Sequence, residues 1–143
     1  MAILTANQLS KVYGHKQKYR ALNNISFSVE KGEFVAVMGP SGSGKTTLLN
    51  VLSSIDTISG GTVEVEGKEI NKLSHKEVAN FRKQHLGFIF QDYSVLPTLT
   101  VKENIMLPLS VKKIDKQEMK QRYDRIVEAL NISDISDKYP SEL

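Results

Sequence analysis

Cysteine is absent from the sequence, and this absence excludes two kinds of chemistry. A chain without thiols forms no disulfide bonds and no thiolate metal sites, which is compatible with a reducing compartment. The histidines are also few. His15, His75 and His85 share no spacing typical of metal ligands, so we interpret them as surface or packing residues.

Long apolar runs are missing as well. No segment has the length needed to cross a bilayer as a helix. The first residues lack the charged region and the long apolar region of a signal peptide. We therefore expect a soluble protein, which would reach a membrane only by docking on another molecule.

Neither sign of charge dominates. The net charge is +3, and the charged residues are interspersed along the chain. This pattern is typical of a solvated surface and disfavours nucleic acid as a partner. With 143 residues and 40% hydrophobic content, the chain has room for one domain of ordinary size with a packed core.

One glycine-rich stretch, residues 39–46, reads Gly-Pro-Ser-Gly-Ser-Gly-Lys-Thr. It follows five apolar residues, 34–38, and precedes an apolar helical pattern at 47–52. A strand, a glycine-rich loop and a helix in this order have the spacing of a phosphate-binding P-loop. The alternative is an ordinary glycine-rich turn. It is disfavoured because two fixed glycines, a lysine and a threonine seldom coincide by chance.

Each residue type in this stretch has a physical reason. Gly39, Gly42 and Gly44 allow backbone turns that a side chain would forbid. Successive N–H groups could then surround a β-phosphate beside the positive end of the helix. Lys45 would bring a full charge to the β- and γ-phosphates, and the Thr46 hydroxyl is a hard oxygen suited to Mg²⁺.

Hydrophobic patterning predicts strands of two kinds. Residues 3–13 predict an edge strand, and residues 24–30 and 62–66 alternate as strands with one wet face do. Residues 34–38 and 88–90 are apolar on both faces, as central parallel strands are. We therefore expect an α/β fold in which an antiparallel β layer lies beside a partial parallel core.

Helices account for much of the rest. The helix after the P-loop, 44–54, is apolar nearly all round, which predicts that it is sandwiched. Capping boxes that begin at Ser74, Thr100 and Asp115 predict three further helices. Pro108 should end or kink the second of these. The third carries one apolar stripe, made of Met119, Tyr123, Ile126, Val127 and Leu130.

P-loop hydrolases need an acidic residue at the end of a neighbouring strand to hold the water shell of Mg²⁺. Asp92 follows the apolar segment 86–90, but Gln91 intervenes, and successive strand residues point in opposite directions. We therefore disfavour Asp92 as the metal aspartate. We expect the metal strand to lie outside this sequence, which would be the front portion of a larger domain.

Three features at matching spacing carry a family resemblance: the P-loop at 39–46, Gln91 directly after an apolar segment, and the aromatic Tyr13 before the first hairpin. Together they resemble the nucleotide-binding subunit of an ATP-binding-cassette (ABC) transporter, over the whole length of the chain. Segments 49–56 and 81–93 resemble one branch of that family. Its members power lipoprotein release, macrolide export and, most similar to this sequence, resistance to bacitracin-type peptide antibiotics.

The resemblance implies a P-loop NTPase fold of the ABC ATPase type, with ATP and Mg²⁺ as cofactors. Residues 1–92 would form the ATP-binding core with the P-loop and Q-loop, and residues 93–143 the start of a helical subdomain. The parent protein would be an ATPase that couples ATP binding and hydrolysis to export of an antimicrobial peptide or related amphiphile. It would lie at the cytoplasmic face of a bacterial membrane, with a membrane-spanning permease and a second nucleotide-binding subunit as partners.

The resemblance also implies roles for single residues. Tyr13 would stack on adenine, although a purely packing role stays open. Gln91 would bind Mg²⁺ or the attacking water, unless it is an ordinary polar strand end. Lys45 and Gln91 are the catalytic candidates, and Thr46 and Gln91 the metal candidates. The candidate phosphate-binding residues are Gly39, Pro40, Ser41, Gly42, Ser43, Gly44, Lys45, Thr46 and Thr47.

The sequence departs from the family where the signature segment should begin, at 141–143. The Walker B aspartate, the catalytic glutamate and the switch histidine would lie beyond it. We therefore expect this chain alone to bind Mg-nucleotide weakly, to hydrolyse essentially none and to self-associate through exposed apolar edges. Two alternatives are a non-hydrolysing nucleotide-binding fragment and a small P-loop nucleotide kinase. The kinase is disfavoured because the arginines form no cluster.

Overall fold

A computed structural model describes residues 2–112 and 114–143. The chain divides into two compact units, the first ending at Phe88 and the second spanning Ile89–Leu143. Across the described ranges no helix is long and apolar enough to cross a membrane.

The first unit is organised around an antiparallel sheet with the strand order β2-β1-β3-β4. The strands are β1 (Ala2–Tyr13), β2 (Tyr19–Glu30), β3 (Gly60–Val65) and β4 (Lys68–Glu69). Ala6 lies opposite Phe27 of β2 on one side and opposite Val63 of β3 on the other. The prediction that residues 3–13 form an edge strand is therefore wrong. The second partner of β1 follows more than 45 residues later, and a local pattern does not reveal such a pairing.

Two helices pack with this sheet, α1 (Lys45–Leu52) and α2 (His75–His85). The buried core of the unit joins one face of the sheet to both helices, and it consists of Ala6, Leu9, Leu22, Leu48, Val51, Val63, Val65, Ile70 and Phe81. Helix α1 is buried on one face only, because Leu49 is 48% exposed. The expectation that α1 is sandwiched is therefore not met among the described residues.

The two segments predicted as parallel strands do not belong to any strand of the described residues. In the first of them, 34–38, Phe34 is 95% exposed and Met38 is 89% exposed. An apolar run reports a preference for burial, but a strand forms only where neighbouring strands extend the ladder. The expectation of parallel strands at 34–38 and 88–90 is thus wrong for this structure.

The second unit contains α3 (Val101–Val111) and α4 (Lys116–Leu130). Helix α3 continues three residues past Pro108, so the proline does not end it, and the alternative that it kinks the helix stays a prediction. The proline removes one donor, but its carbonyl still accepts from Lys112 N–H at 3.2 Å, so the hydrogen-bonded ladder resumes. On α4 only Tyr123 and Val127 of the predicted stripe are buried.

Side chains cap three of these helices as the sequence predicts. Ser74 and Thr100 form reciprocal capping boxes with the glutamates three residues later. Asp115 caps α4 through its side chain, which accepts from two N–H groups of the first turn, and not through the reciprocal box that the sequence predicts. Helix α1 differs, because its N-cap residue is Gly44, which has no side chain to cap it.

Candidate nucleotide-binding site

The glycine-rich loop leads directly into α1, and its backbone geometry requires glycine at Gly44. That residue has φ of 92°, and a Cβ atom there would lie 2.6 Å from the carbonyl oxygen of Ala21 in β2. A Cβ on Gly39 would lie 2.7 Å from the Ser43 hydroxyl oxygen. The loop therefore packs against itself and against β2 in a way that any side chain at position 44 would prevent.

The start of α1 is free of competing side chains. No side chain caps it, and no acidic residue lies in its first turn. The first N–H groups of a helix have no intrahelical acceptors, and they carry the positive end of the helix dipole. Leu48 and Val51 bury the inner face of α1 in the core, which fixes where this helix end points. The arrangement fits an anion.

Lys45, the first residue of α1, folds its side chain back over the loop. Its ammonium group donates to the carbonyl oxygens of Gly39 at 2.9 Å and Pro40 at 2.8 Å. These neutral acceptors hold the charge at the loop without neutralising it. Phosphate oxygens would make stronger, charge-assisted bonds with the same group.

The other loop residues lie where the sequence places them, between the end of the apolar segment and α1. Ser43 N–H donates to Pro40 O at 3.2 Å, which closes the turn. Ser41 and Thr46 are exposed, so both hydroxyl groups are accessible from solvent. The sequence analysis did not predict Tyr19 of β2 as a residue of the site. Its hydroxyl donates to the Gly42 carbonyl at 3.3 Å, and its only sequence signal was an aromatic residue beside the first hairpin.

Tyr13, the adenine-stacking candidate, lies at the end of β1, and the residue is 38% exposed. Its hydroxyl donates to Asp56 Oδ2 at 2.6 Å. This hydrogen bond and burial raise the pKa of the phenol, and a hydrogen bond with Thr47 opposes them in part. Tyr13 and Thr47 lie 34 positions apart in sequence, and the fold brings them close enough for Thr47 to influence the pKa of the phenol.

Lys11 and Asp56 complete this corner, and sequence reasoning missed both. The Lys11 side chain is only 7% exposed, and its ammonium lies 2.6 Å from Asp56 Oδ1. It also donates to Thr57 O at 2.5 Å. Burial alone would raise the pKa of Asp56, but hydrogen bonds from Lys11, Tyr13 and the Thr57 N–H outweigh burial and hold that pKa below its ordinary value. The carboxylate is therefore charged at neutral pH.

Gln91 and Asp92 belong to the second unit, where they form an exposed turn. Asp92 Oδ1 accepts from the Ser94 hydroxyl at 3.0 Å, so this carboxylate has a local structural partner. The turn is followed by left-handed backbone at Tyr93 and Ser94. The role predicted for Gln91 stays a prediction.

Of the three histidines, His85 packs against other side chains and the other two lie at the surface. His85 stacks on Phe81 with the ring centroids 5.1 Å apart, and its Nδ1 lies 2.8 Å from Glu66 Oε2. His15 and His75 are exposed. Over residues 2–112 and 114–143 no three histidine or acidic side chains are grouped as a metal site.

Comparison with known proteins decides the family. The model of the ABC transporter family matches residues 22–143, most of the chain. The chain belongs to the ABC transporter family. The resemblance read from Tyr13, the P-loop and Gln91 is thereby confirmed.

Relatives of this ABC transporter chain include proteins named for export. It is 56% identical to the bacitracin export ATP-binding protein BceA of Halalkalibacterium halodurans, covering 100% of this chain and 57% of that protein. It is 37% identical to the macrolide export ATP-binding/permease protein MacB of Aggregatibacter actinomycetemcomitans, covering 100% of this chain and 22% of that protein. The chain thus spans less than two thirds of either relative.

Solved structures confirm the fold. The dimeric, post-hydrolysis structure of the ATP-binding cassette MJ0796 bound to ADP and Pi superposes with a TM-score of 0.90 at 30% identity, covering 98% of this chain and 62% of that one. The ABC transporter chain therefore has the P-loop NTPase fold of ABC ATPases, although its parallel strands are not formed among the described residues.

Proposed function

We propose that this chain is the nucleotide-binding portion of an ABC transporter ATP-binding subunit, and that residues 39–47 bind the phosphates of Mg-ATP. The observation that carries the proposal is the helix start at Gly44. It has no side-chain cap and no acid in its first turn, and the Lys45 ammonium rests on two loop carbonyls beside it. An uncapped helix end and a cation held only by neutral carbonyls, at one place, suit a polyphosphate.

The roles within the site follow from position. Residues 41–45 would surround the phosphates, with Pro40 shaping the turn before them and the Ser43 N–H giving up its present bond to the Pro40 carbonyl. Lys45 would move from the loop carbonyls to the β- and γ-phosphates, where it stabilises the charge that develops during phosphoryl transfer. Thr47, which lies near the Tyr13 hydroxyl, would bind the α-phosphate. Tyr13 would offer its exposed ring to adenine.

The residues of the site also suit Mg²⁺ held by few protein oxygens and the phosphates better than they suit a metal held by protein ligands alone. The described part of the chain offers no cluster of acids or histidines. Mg²⁺ keeps several waters and binds through few protein oxygens and the substrate phosphates. The exposed Thr46 hydroxyl would supply one such oxygen, and Gln91 is the second candidate. When bound, the metal neutralises the charge of the phosphates.

The parent protein would be an ATPase that drives export, and the relatives named for bacitracin and macrolide export support an antimicrobial peptide or related amphiphile as cargo. Its partners would be a membrane-spanning permease and a second nucleotide-binding subunit, at the cytoplasmic face of the membrane. Residues 1–92 would be the ATP-binding core and residues 93–143 the start of the helical subdomain that receives the permease.

We further propose that the 143-residue chain binds nucleotide without turning it over. The family's catalytic glutamate has no counterpart among these residues, so phosphate release should stay at the background rate. The exposed side chains of Phe34 and Met38 favour self-association.

The decisive experiment compares Lys45→Met with Lys120→Met, a lysine on an exposed position of α4. Calorimetric titration of the 143-residue chain with Mg-ATP should give an affinity at least about tenfold lower for Lys45→Met, because a charge-assisted contact is lost. Lys120→Met should bind Mg-ATP as tightly as the unsubstituted 143-residue chain (the parent chain in the experiments below). Equal affinities for all three proteins, or no binding by the parent chain, would refute the proposal.

A further inference from the structure

The base end of the candidate site is built from side chains far apart in sequence. Tyr13 and Lys11 come from β1, and Asp56 comes from the segment that leaves α1. All three meet at the Asp56 carboxylate, which lies 2.6 Å from Tyr13 Oη and 2.6 Å from Lys11 Nζ. Lys11 lies outside the segments that carry the family resemblance, and Asp56 is the last residue of segment 49–56, for which the resemblance implies no role.

Asp56 is itself anchored to α1. Its N–H donates to Asn50 O at 3.1 Å, and the N–H of Ile55 donates to the same carbonyl at 2.9 Å. The Thr57 N–H donates to Asp56 Oδ1 at 2.7 Å. The helix that begins at the phosphate end of the site thus fixes, at its other end, the acceptor that holds the Tyr13 hydroxyl.

Lys11 restrains the same aromatic ring in a second direction. Its ammonium lies 4.8 Å from the ring centroid of Tyr13, a cation–π arrangement that occupies one face of the ring. A flat base would therefore have to stack on the opposite face. Restraining a binding group in its bound position before the ligand arrives lowers the entropy lost on binding.

We propose that Asp56 is a positioning residue for the nucleotide base. Through the Tyr13 hydroxyl, and with Lys11 behind the ring, it holds the aromatic ring at a fixed angle to α1 so that one face meets the base. The inference rests on the proposed function, in which Tyr13 stacks on adenine.

The test separates base binding from phosphate binding by using two ligands, Mg-ATP and inorganic tripolyphosphate with Mg²⁺. Tyr13→Phe keeps the ring and removes only its anchor, and Asp56→Asn weakens the acceptor. Each variant should bind Mg-ATP about three- to tenfold more weakly than the parent chain, the loss expected for one hydrogen bond. Tripolyphosphate, which has no base, should bind all of them equally.

Two further variants complete the design. In the double variant Asp56→Asn/Tyr13→Phe the loss should be no larger than the greater single loss, because both changes break the same hydrogen bond. Glu69→Gln is the control. It removes an ion pair of the same length, 2.6 Å to Lys72, on the β4 side of the sheet, and should leave both affinities unchanged.

Several outcomes would overturn the inference. If Tyr13→Phe binds Mg-ATP as tightly as the parent chain, the ring needs no anchor. If Asp56→Asn loses both ligands equally, its role is general stability. If the parent chain binds tripolyphosphate as tightly as Mg-ATP, there is no base site, although the phosphate site stands. If the parent chain binds neither ligand, the proposed function fails as well.

Discussion

The phosphate end and the base end of the candidate site are built by different means. The phosphate end is contiguous backbone, residues 39–44, closed against β2 and topped by one lysine. The base end joins side chains 43 positions apart, Tyr13 and Asp56, through a single hydrogen bond. The phosphate end should be disrupted when a Cβ atom is added to the loop. The base end should be disrupted when a polar atom of the hydrogen bond is removed. Substitutions at the two ends should therefore differ in both size and ligand dependence.

The largest effect is expected for Gly44→Ala. The new Cβ would lie 2.6 Å from Ala21 O, in addition to the strain of φ at 92°. Strain alone costs about 1–2 kcal/mol, and relieving the clash should bring the loss of unfolding free energy to about 3 kcal/mol. Urea denaturation measures the loss. The control is Gly67→Ala, with φ of 76° and open space around the Cβ, which should cost only the strain.

If Gly44→Ala and Gly67→Ala lose the same unfolding free energy, the close approach of Gly44 to β2 contributes nothing. The proposed difference between the phosphate end and the base end would then be contradicted. If Gly44→Ala also keeps tripolyphosphate binding, the loop does not need its observed geometry.

An intermediate effect concerns Asp56 and pH. The pKa of Asp56 is lowered in the folded chain, so its charged form stabilises the fold above the ordinary value of about 3.9. That contribution is lost as pH falls through the lowered folded-state value. The difference in unfolding free energy between the parent chain and Asp56→Asn should be constant from about pH 5 to 7 and shrink below about pH 4. Denaturation at several pH values checks this, and a difference that grows in acid would contradict it.

The smallest effect is expected for Tyr19→Phe. The lost bond to Gly42 O is long, 3.3 Å, and solvent-exposed, so the cost should be about 0.5 kcal/mol. Because this hydroxyl touches the loop, Mg-ATP and tripolyphosphate should weaken together, by about twofold. Tyr13→Phe should weaken Mg-ATP alone. The same titrations compare the two variants, and a loss confined to Mg-ATP in Tyr19→Phe would place Tyr19 at the base end instead.

The same division explains what the sequence predicts well. The P-loop, the three capped helices and the alternating strands are local patterns, with signals that lie within a few residues. The pairing of β1 with β3, the Tyr13–Asp56 bond and the ion pair of the buried Lys11 join residues more than 40 positions apart, which composition and periodicity do not report. Residues 34–38 show that a clear local pattern can also mispredict structure. Their apolar run reports a tendency to be buried, but whether they form a strand depends on neighbours.

The uncapped start of α1 has a thermodynamic consequence. The other α-helices of the described residues have first turns capped by the side chains of Ser74, Thr100 and Asp115, whereas no side chain caps α1. Under the proposed function, a bound anion would take the place of that cap. Folding and occupancy are then linked, and each tenfold excess of anion over its dissociation constant should add about 1.4 kcal/mol to the folded state. The melting temperature of this chain would thus report the anions dissolved around it.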